Sequence, residues 1–259
     1  MADDNCALIV WAPMPDACLL TGFLYCISNT LMYACFLQPP LSLLLMDGVG
    51  MSASDINMAN GPQRYMARIP GKPLLFPESR MTAQLRLSSL SDKEVIEHVY
   101  VNNSFQFPTR RKIREVTRVI LSRLDALSTE LLAVLADGPS DLARITLVYA
   151  IMKTDKLFRD FMSVVYMPAA RMASGRIERS DVDAFFRMLA EQDENVASWS
   201  ESTMDKLKQT AVKMLADAGL IDSTRTRRVQ RPILSQEFRA LLEAAGDSAY
   251  IEVLTGGDV

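Results

Sequence analysis

Apolar positions along residues 77–245 recur at helical spacing, and polar residues, Gly and Pro divide them into helix-length segments. Pro77, Glu78 and Ser79 open a first predicted helix over 77–88. Ser91-Asp92-Lys93-Glu94 reads as a capping box: the serine hydroxyl accepts from the N–H three residues on, and Glu94 reaches back to the N-cap. The helix it starts runs to about 101, and Asn102-Asn103 ends it. Thr109 caps a long helix to about 127, whose Ile113, Val116, Ile120, Leu121, Leu124 and Leu127 form one apolar stripe. Ser128 opens the next, stopped by Asp137-Gly138-Pro139. Helices over 140–152 and 154–173 are apolar around most of their circumference, which predicts the core of a bundle.

A second half begins at Ser180-Asp181-Val182-Asp183, which caps a helix to about 192. Ser202 or Thr203 starts another, ended at Gly219. Leu220-Ile221 and residues 229–234 are short apolar pieces around a polar Asp222-Ser223-Thr224 turn, the pattern of a two-stranded ribbon. Ser235 caps a last helix to about 245. The expected fold is mainly α: a helical bundle with a helix-turn-helix-like unit over 61–175, then a winged-helix-like domain with a short β-ribbon over 176–259.

Residues 1–60 read as a different text. The stretch 17–46 has thirty consecutive uncharged residues, long enough to cross a bilayer. Against that, Asn29 and Gln38 interrupt it, Pro39-Pro40 would break a helix, and no basic residue flanks it before Arg64. Asp3 and Asp4 stand where a secretory signal needs basic residues. Three readings stay open: a start assigned too far upstream, with Met51 or Met58 as the true one; an inner-membrane anchor; or a buried or swapped apolar arm. All four cysteines fall in the first fifty residues without zinc-site spacing, and a body free of cysteine permits a cytoplasmic location.

Composition excludes a disordered or collagen-like chain, with 23% charged residues, 11 Gly and 12 Pro. The net charge of −3 hides an asymmetry. Residues 61–120 carry eleven basic and five acidic groups, whereas 121–220 carry twelve and fifteen. Clustering of this kind is the electrostatic footprint of a polyanion partner. The sharpest local oddity is Thr109-Arg110-Arg111-Lys112-Ile113-Arg114, with Arg118 one turn on. A helix N-terminus carries positive partial charge, so four cations there oppose the dipole unless an anion such as phosphate joins them. A solvated basic face with Glu115 as local partner is the plainer alternative. Arg225, Arg227, Arg228 and Arg231 form a second cluster on the expected wing, suited to phosphates or a narrow minor groove. Its plainer alternative is an exposed turn paired with acids elsewhere. Lys206, Lys208 and Lys213 are diluted by Asp205 and Asp217.

Catalysis has little to draw on. A lone histidine, His98, and the absence of a Gly-rich phosphate loop, HExxH or Gly-x-Ser-x-Gly leave no enzymatic signature, and no cofactor or metal is expected. Acid pairs such as Asp181/Asp183 sit at helix ends, where capping accounts for them.

Arg64-Tyr65-Met66-Ala67-Arg68 through Leu74-Leu75-Phe76-Pro77-Glu78-Ser79, the helix Arg110-Arg111-Lys112-Ile113-Arg114-Glu115-Val116, and the block Thr203-Met204-Asp205-Lys206-Leu207-Lys208-Gln209-Thr210 to Gly219-Leu220 together resemble the BrxA proteins of BREX phage-defence systems. The resemblance spans roughly 62–245. It implies a small, all-helical, non-enzymatic component that acts with methyltransferase, ATPase and phosphatase-like partners to block phage DNA replication. It also implies helix-turn-helix-like DNA-binding units, and the family has been likened to the RNA-binding protein NusB. An inner-membrane label has been attached to the family too, which 17–46 would fit. The family pattern starts near Arg64, which favours the upstream-start reading. The expected function is therefore binding of double-stranded DNA through phosphate contacts beside other BREX components. A protein–protein adaptor and an RNA-binding bundle remain the alternatives.

Overall fold

The computed structural model describes residues 64–172 and 175–257; residues 17–46, with Met51 and Met58, lie outside the described residues. Among the described residues a 3-10 turn at Ile69–Gly71 leads into five α-helices: α1 (Phe76–Leu87), α2 (Asp92–Asn102), α3 (Arg110–Leu124), α4 (Thr129–Asp137) and α5 (Ser140–Thr154). Their starts follow the local chemistry. Ser91 Oγ accepts from Glu94 N, while the Glu94 carboxylate accepts from Ser91 N at 2.8 Å and from its hydroxyl at 2.6 Å. Thr109 and Ser128 cap α3 and α4 through their hydroxyls.

The Glu94 carboxyl is held below the usual range, chiefly by the Ser91 hydroxyl and then by its backbone N–H. A carboxylate with a depressed folded-state pKa stabilises above its unfolded pKa, and that contribution is lost as pH falls through the folded value. Ser91→Ala should lower stability at pH 7 by about 1 kcal/mol for the lost N-cap. Urea titrations at pH 7 and pH 3 should show the gap to the wild type narrowing in acid. A gap that widens would contradict the assignment.

The centre of the fold is α5 with the run that follows it. Ala143, Leu147, Val148, Tyr149, Ile151 and Met152 are all buried on α5. The helix expected over 154–173 is interrupted, as α6 (Lys156–Phe161), a π turn (Met162–Tyr166) and α7 (Met167–Arg171). Pro168 accounts for the wider turn: it cannot donate to the carbonyl four residues back, and its ring presses on that carbonyl. Residues 64–72 are stitched down from two sides. The Tyr65 hydroxyl donates to Asp160 at 2.8 Å, and Asn195 donates to the Tyr65 carbonyl at 3.0 Å.

Helices α8 (Arg179–Gln192), α9 (Glu194–Ala197), α10 (Glu201–Asp217), α11 (Gln236–Ala244) and α12 (Ser248–Thr255) complete the described chain. The caps differ by a few residues from those expected: Glu178 with Asp181 starts α8, and Ser200 starts α10. α12 was not expected from the sequence. It buries Tyr250, Ile251, Val253 and Leu254, and packs on α7 and the π turn.

The two-stranded ribbon does not form. Among the described residues the expected region holds only two isolated antiparallel bridges, Ile221 with Val229 and Arg176 with Arg228. The middle segment is paired on both sides, with Val229 N to Gly175 O at 2.9 Å and Gln230 N to Leu220 O at 2.8 Å. Arg227 has φ 54°, in the left-handed region, which interrupts an extended ladder after one pair. Asp222 takes the Ser223 and Arg228 N–H groups and the Thr226 hydroxyl on its carboxylate, so side chain replaces ladder in closing the turn.

Candidate nucleic-acid interface

Helix α3 turns Ile113, Val116, Thr117, Ile120, Leu121 and Leu124 inward. The same periodicity leaves Arg110, Arg111, Lys112, Arg114 and Arg118 exposed, with Thr109 at the cap. The chain partly answers the conflict between these cations and the helix dipole. Arg110 donates to the Tyr100 carbonyl and, at 3.4 Å, to that of Val101, at the negative end of α2. The guanidinium of Arg114 lies 3.9 Å from the centre of the Tyr100 ring and that of Arg110 4.9 Å, while Lys112 is 5.0 Å from the Phe107 ring. Aromatic stacking orients a cation without cancelling its charge.

Glu115, the acid among these residues, is already engaged. Lys72 Nζ sits 2.6 Å from it, and that contact, with smaller help from Arg111 and Lys112, holds its carboxyl below the usual range. Arg111, Arg114 and Arg118 have no carboxylate at ion-pair distance among the described residues. They line an open cavity of about 490 Å³ together with Tyr100, Arg110 and Glu115.

A second cavity of about 160 Å³ is lined by Arg118 as well, with Arg68, Lys72, Ser122, Arg123 and Asp155. Arg123 is buried and donates to the carbonyls of Lys72, Pro73 and Leu74 at 2.7, 2.9 and 3.3 Å. Burial brings its pKa down to about 10, so it stays charged at neutral pH. Burial also raises the Asp155 carboxyl, against the Phe158 N–H it caps and the nearby Arg123 and Arg68. Sequence reasoning missed Arg68, Lys72 and Tyr100 as neighbours of the α3 cations. Nothing in their local spacing marks them, because the packing of α2 and of residues 64–72 on α3 creates the proximity.

The wing cluster is assembled differently from the expectation. Arg225 and Arg228 are exposed without a carboxylate at ion-pair distance. Arg227 is half-buried and donates to the Thr224 carbonyl at 3.1 Å; burial, then Arg179 and Arg176, lower its pKa. Those two arginines are additions, brought in by the bridge at Arg176; Arg176 pairs with Glu178 at 3.2 Å. Arg231 stands within electrostatic reach of the buried Tyr166, and its charge opposes the upward push of burial on that tyrosine. On α10, Lys208 pairs with Asp183 at 2.6 Å and Lys213 with Asp217 at 2.9 Å, which leaves Lys206 exposed and unpaired among the described residues.

Among the described residues no group of three or more His, Cys, Asp or Glu could hold a metal ion, and no helix is long and apolar enough to cross a membrane. The fold and its surface define an all-α protein with two arginine-rich surfaces, on which Arg111, Arg114, Arg118, Arg225 and Arg228 have no carboxylate at ion-pair distance among the described residues. The family model for BrxA matches residues 63–246. A BREX protein BrxA from Bacillus cereus is 31% identical over 195 residues, covering 75% of this chain and 98% of that protein. One from Escherichia coli O9:H4 is 25% identical over 205 residues, covering 79% and 96%. The crystal structure of an uncharacterized protein from Magnetospirillum magneticum superposes with a TM-score of 0.64 at 26% identity, covering 74% of this chain and 99% of that one. The chain belongs to the BrxA family, components of BREX phage-defence systems.

Proposed function

We propose that this chain is a non-enzymatic component of its BREX system that binds double-stranded DNA, mainly through phosphate contacts. The carrying observation is the set Arg111, Arg114 and Arg118, exposed on one face of α3 beside an open cavity and without carboxylate partners. Guanidinium groups left free in this way suit the dense negative charge of a duplex backbone. The order of segment 175–177, α8, α10, segment 220–222, turn and segment 227–230 supports reading residues 176–257 as a winged-helix-like unit. In that reading α10 meets the duplex, and Arg225 and Arg228 on the wing reach its backbone. Such a ligand puts the protein's work in the cytoplasm, and methyltransferase, ATPase and phosphatase-like BREX proteins are the partners it would meet on DNA.

The test is a fluorescence-anisotropy titration of the full chain with a duplex and a structured RNA of equal length at matched salt. Duplex binding whose log affinity falls linearly with log salt is the expected result. Tighter binding to the RNA would favour the RNA-bundle reading. Binding to neither, alongside capture of a purified BREX partner, would favour the adaptor.

A further inference from the structure

The basic face of α3 is concave where a helix that reads the major groove must protrude. A helix about 10–12 Å across fits a groove about 12 Å wide only if nothing beside it projects as far. Here the face is the floor of two cavities, flanked by Tyr100 from α2 and by residues 68–72. Arg118 lines both, so their linings share that side chain and together span α3 from Arg110 to Arg123, roughly 20 Å, a stretch we treat as one trough.

We propose that this trough holds the sugar–phosphate backbone of one DNA strand lengthwise, and that α3 does not enter the major groove. The proposal rests on the duplex-binding reading and specifies how that ligand lies. Arg110, Arg114 and Arg118 recur every four residues, a rise of about 6 Å each, comparable with the separation of successive phosphates on a strand. Arg68 extends the cationic lining beyond Arg118. The acids along the trough are accounted for: Glu115 is paired with Lys72, and Asp155 caps α6 beside Arg123. The Tyr100 hydroxyl has no hydrogen-bond partner among the described residues and is free to donate to a phosphate oxygen. The outward face of α3 between Arg110 and Arg118 carries no Asn or Gln, the side chains suited to reading adenine. What it offers is charge.

The experiment uses the full chain, the double variant Arg114→Gln/Arg118→Gln, and two 24-base-pair duplexes of one sequence. In the second duplex, glucosylated 5-hydroxymethyl groups on cytosine fill the major groove. The wild type should bind both. The double variant should lose the same factor on each, about tenfold or more, and its log affinity against log salt should flatten by about 2, near 0.9 for each phosphate contact removed. Arg114→Lys/Arg118→Lys should retain most of the binding, since a phosphate accepts a point charge. A loss confined to the unmodified duplex would mean that α3 touches base edges, and would overturn the trough while leaving duplex binding intact. No loss on either duplex, or an equal loss in the lysine variant, would overturn it as well. Failure of the wild type to bind either duplex would remove the duplex reading itself, and the trough with it.

Discussion

Reversing the charge of Arg111, Arg114 and Arg118 to Glu should lower the affinity for duplex DNA by on the order of a thousandfold at low salt. The magnitude follows from losing three charge-assisted contacts, each worth about 1.4 kcal/mol, or tenfold. These side chains are exposed and bear no internal ion pair, so the folded state loses little when they change. The same variant flattens the salt dependence by nearly 3 on a log–log plot, at about 0.9 per phosphate. A second reversal, at Arg225 and Arg228, should weaken binding separately, and the two losses should add if the clusters touch the duplex independently. Anisotropy titrations at several salt concentrations, with circular dichroism to certify folding, check both. Unchanged affinity and slope in a folded triple variant would sink the assignment of α3.

Arg123→Met should be the most damaging single substitution near the trough, at about 3 kcal/mol. Arg123 is 6% exposed and its guanidinium satisfies three carbonyls in a row, on Lys72, Pro73 and Leu74. Methionine fills similar volume but donates nothing, so partly buried acceptors lose their partners; release from burying a charge offsets only part of that. Against a typical total stability of 5–15 kcal/mol, the loss is large. It should appear as a lower urea midpoint and as faster amide exchange across residues 68–74, the wall that carries Lys72. A loss under about 1 kcal/mol with unchanged exchange would show that this wall is held by apolar packing, with Ile69 and Leu74 as the anchors.

Much of the helical order was legible because caps are local. Ser91, Thr109, Ser128 and Ser235 each stand where a hydroxyl can reach an N–H three residues on, and each starts a helix. The inward stripe of α3 and the all-round burial of α5 followed from apolar spacing. α9 and α12 were not legible. The first is a single capped turn, and the second is an eight-residue segment carrying Ile251, Val253 and Thr255, β-branched residues that favour helix poorly. Packing against α7 settles it, together with Tyr250 edge-on to Tyr149 of α5 at 5.2 Å. The ribbon failed as a prediction because alternation cannot foresee the left-handed Arg227 or a third segment, 175–177, sharing the pairing.

For the surface, the linear chain states which residues are charged and, through helical periodicity, which of them share a face: Arg110, Arg114 and Arg118 needed no coordinates to be grouped. Whether a cation is free or already engaged depends on groups far along the chain, and those meet only when the helices pack. Arg110 proved to serve the end of α2, Lys72 to silence Glu115, and Arg176 to bridge to Arg228 from about fifty residues away. Coulomb and hydrogen-bond energies depend on separation in space, which sequence distance does not encode once a chain folds back on itself.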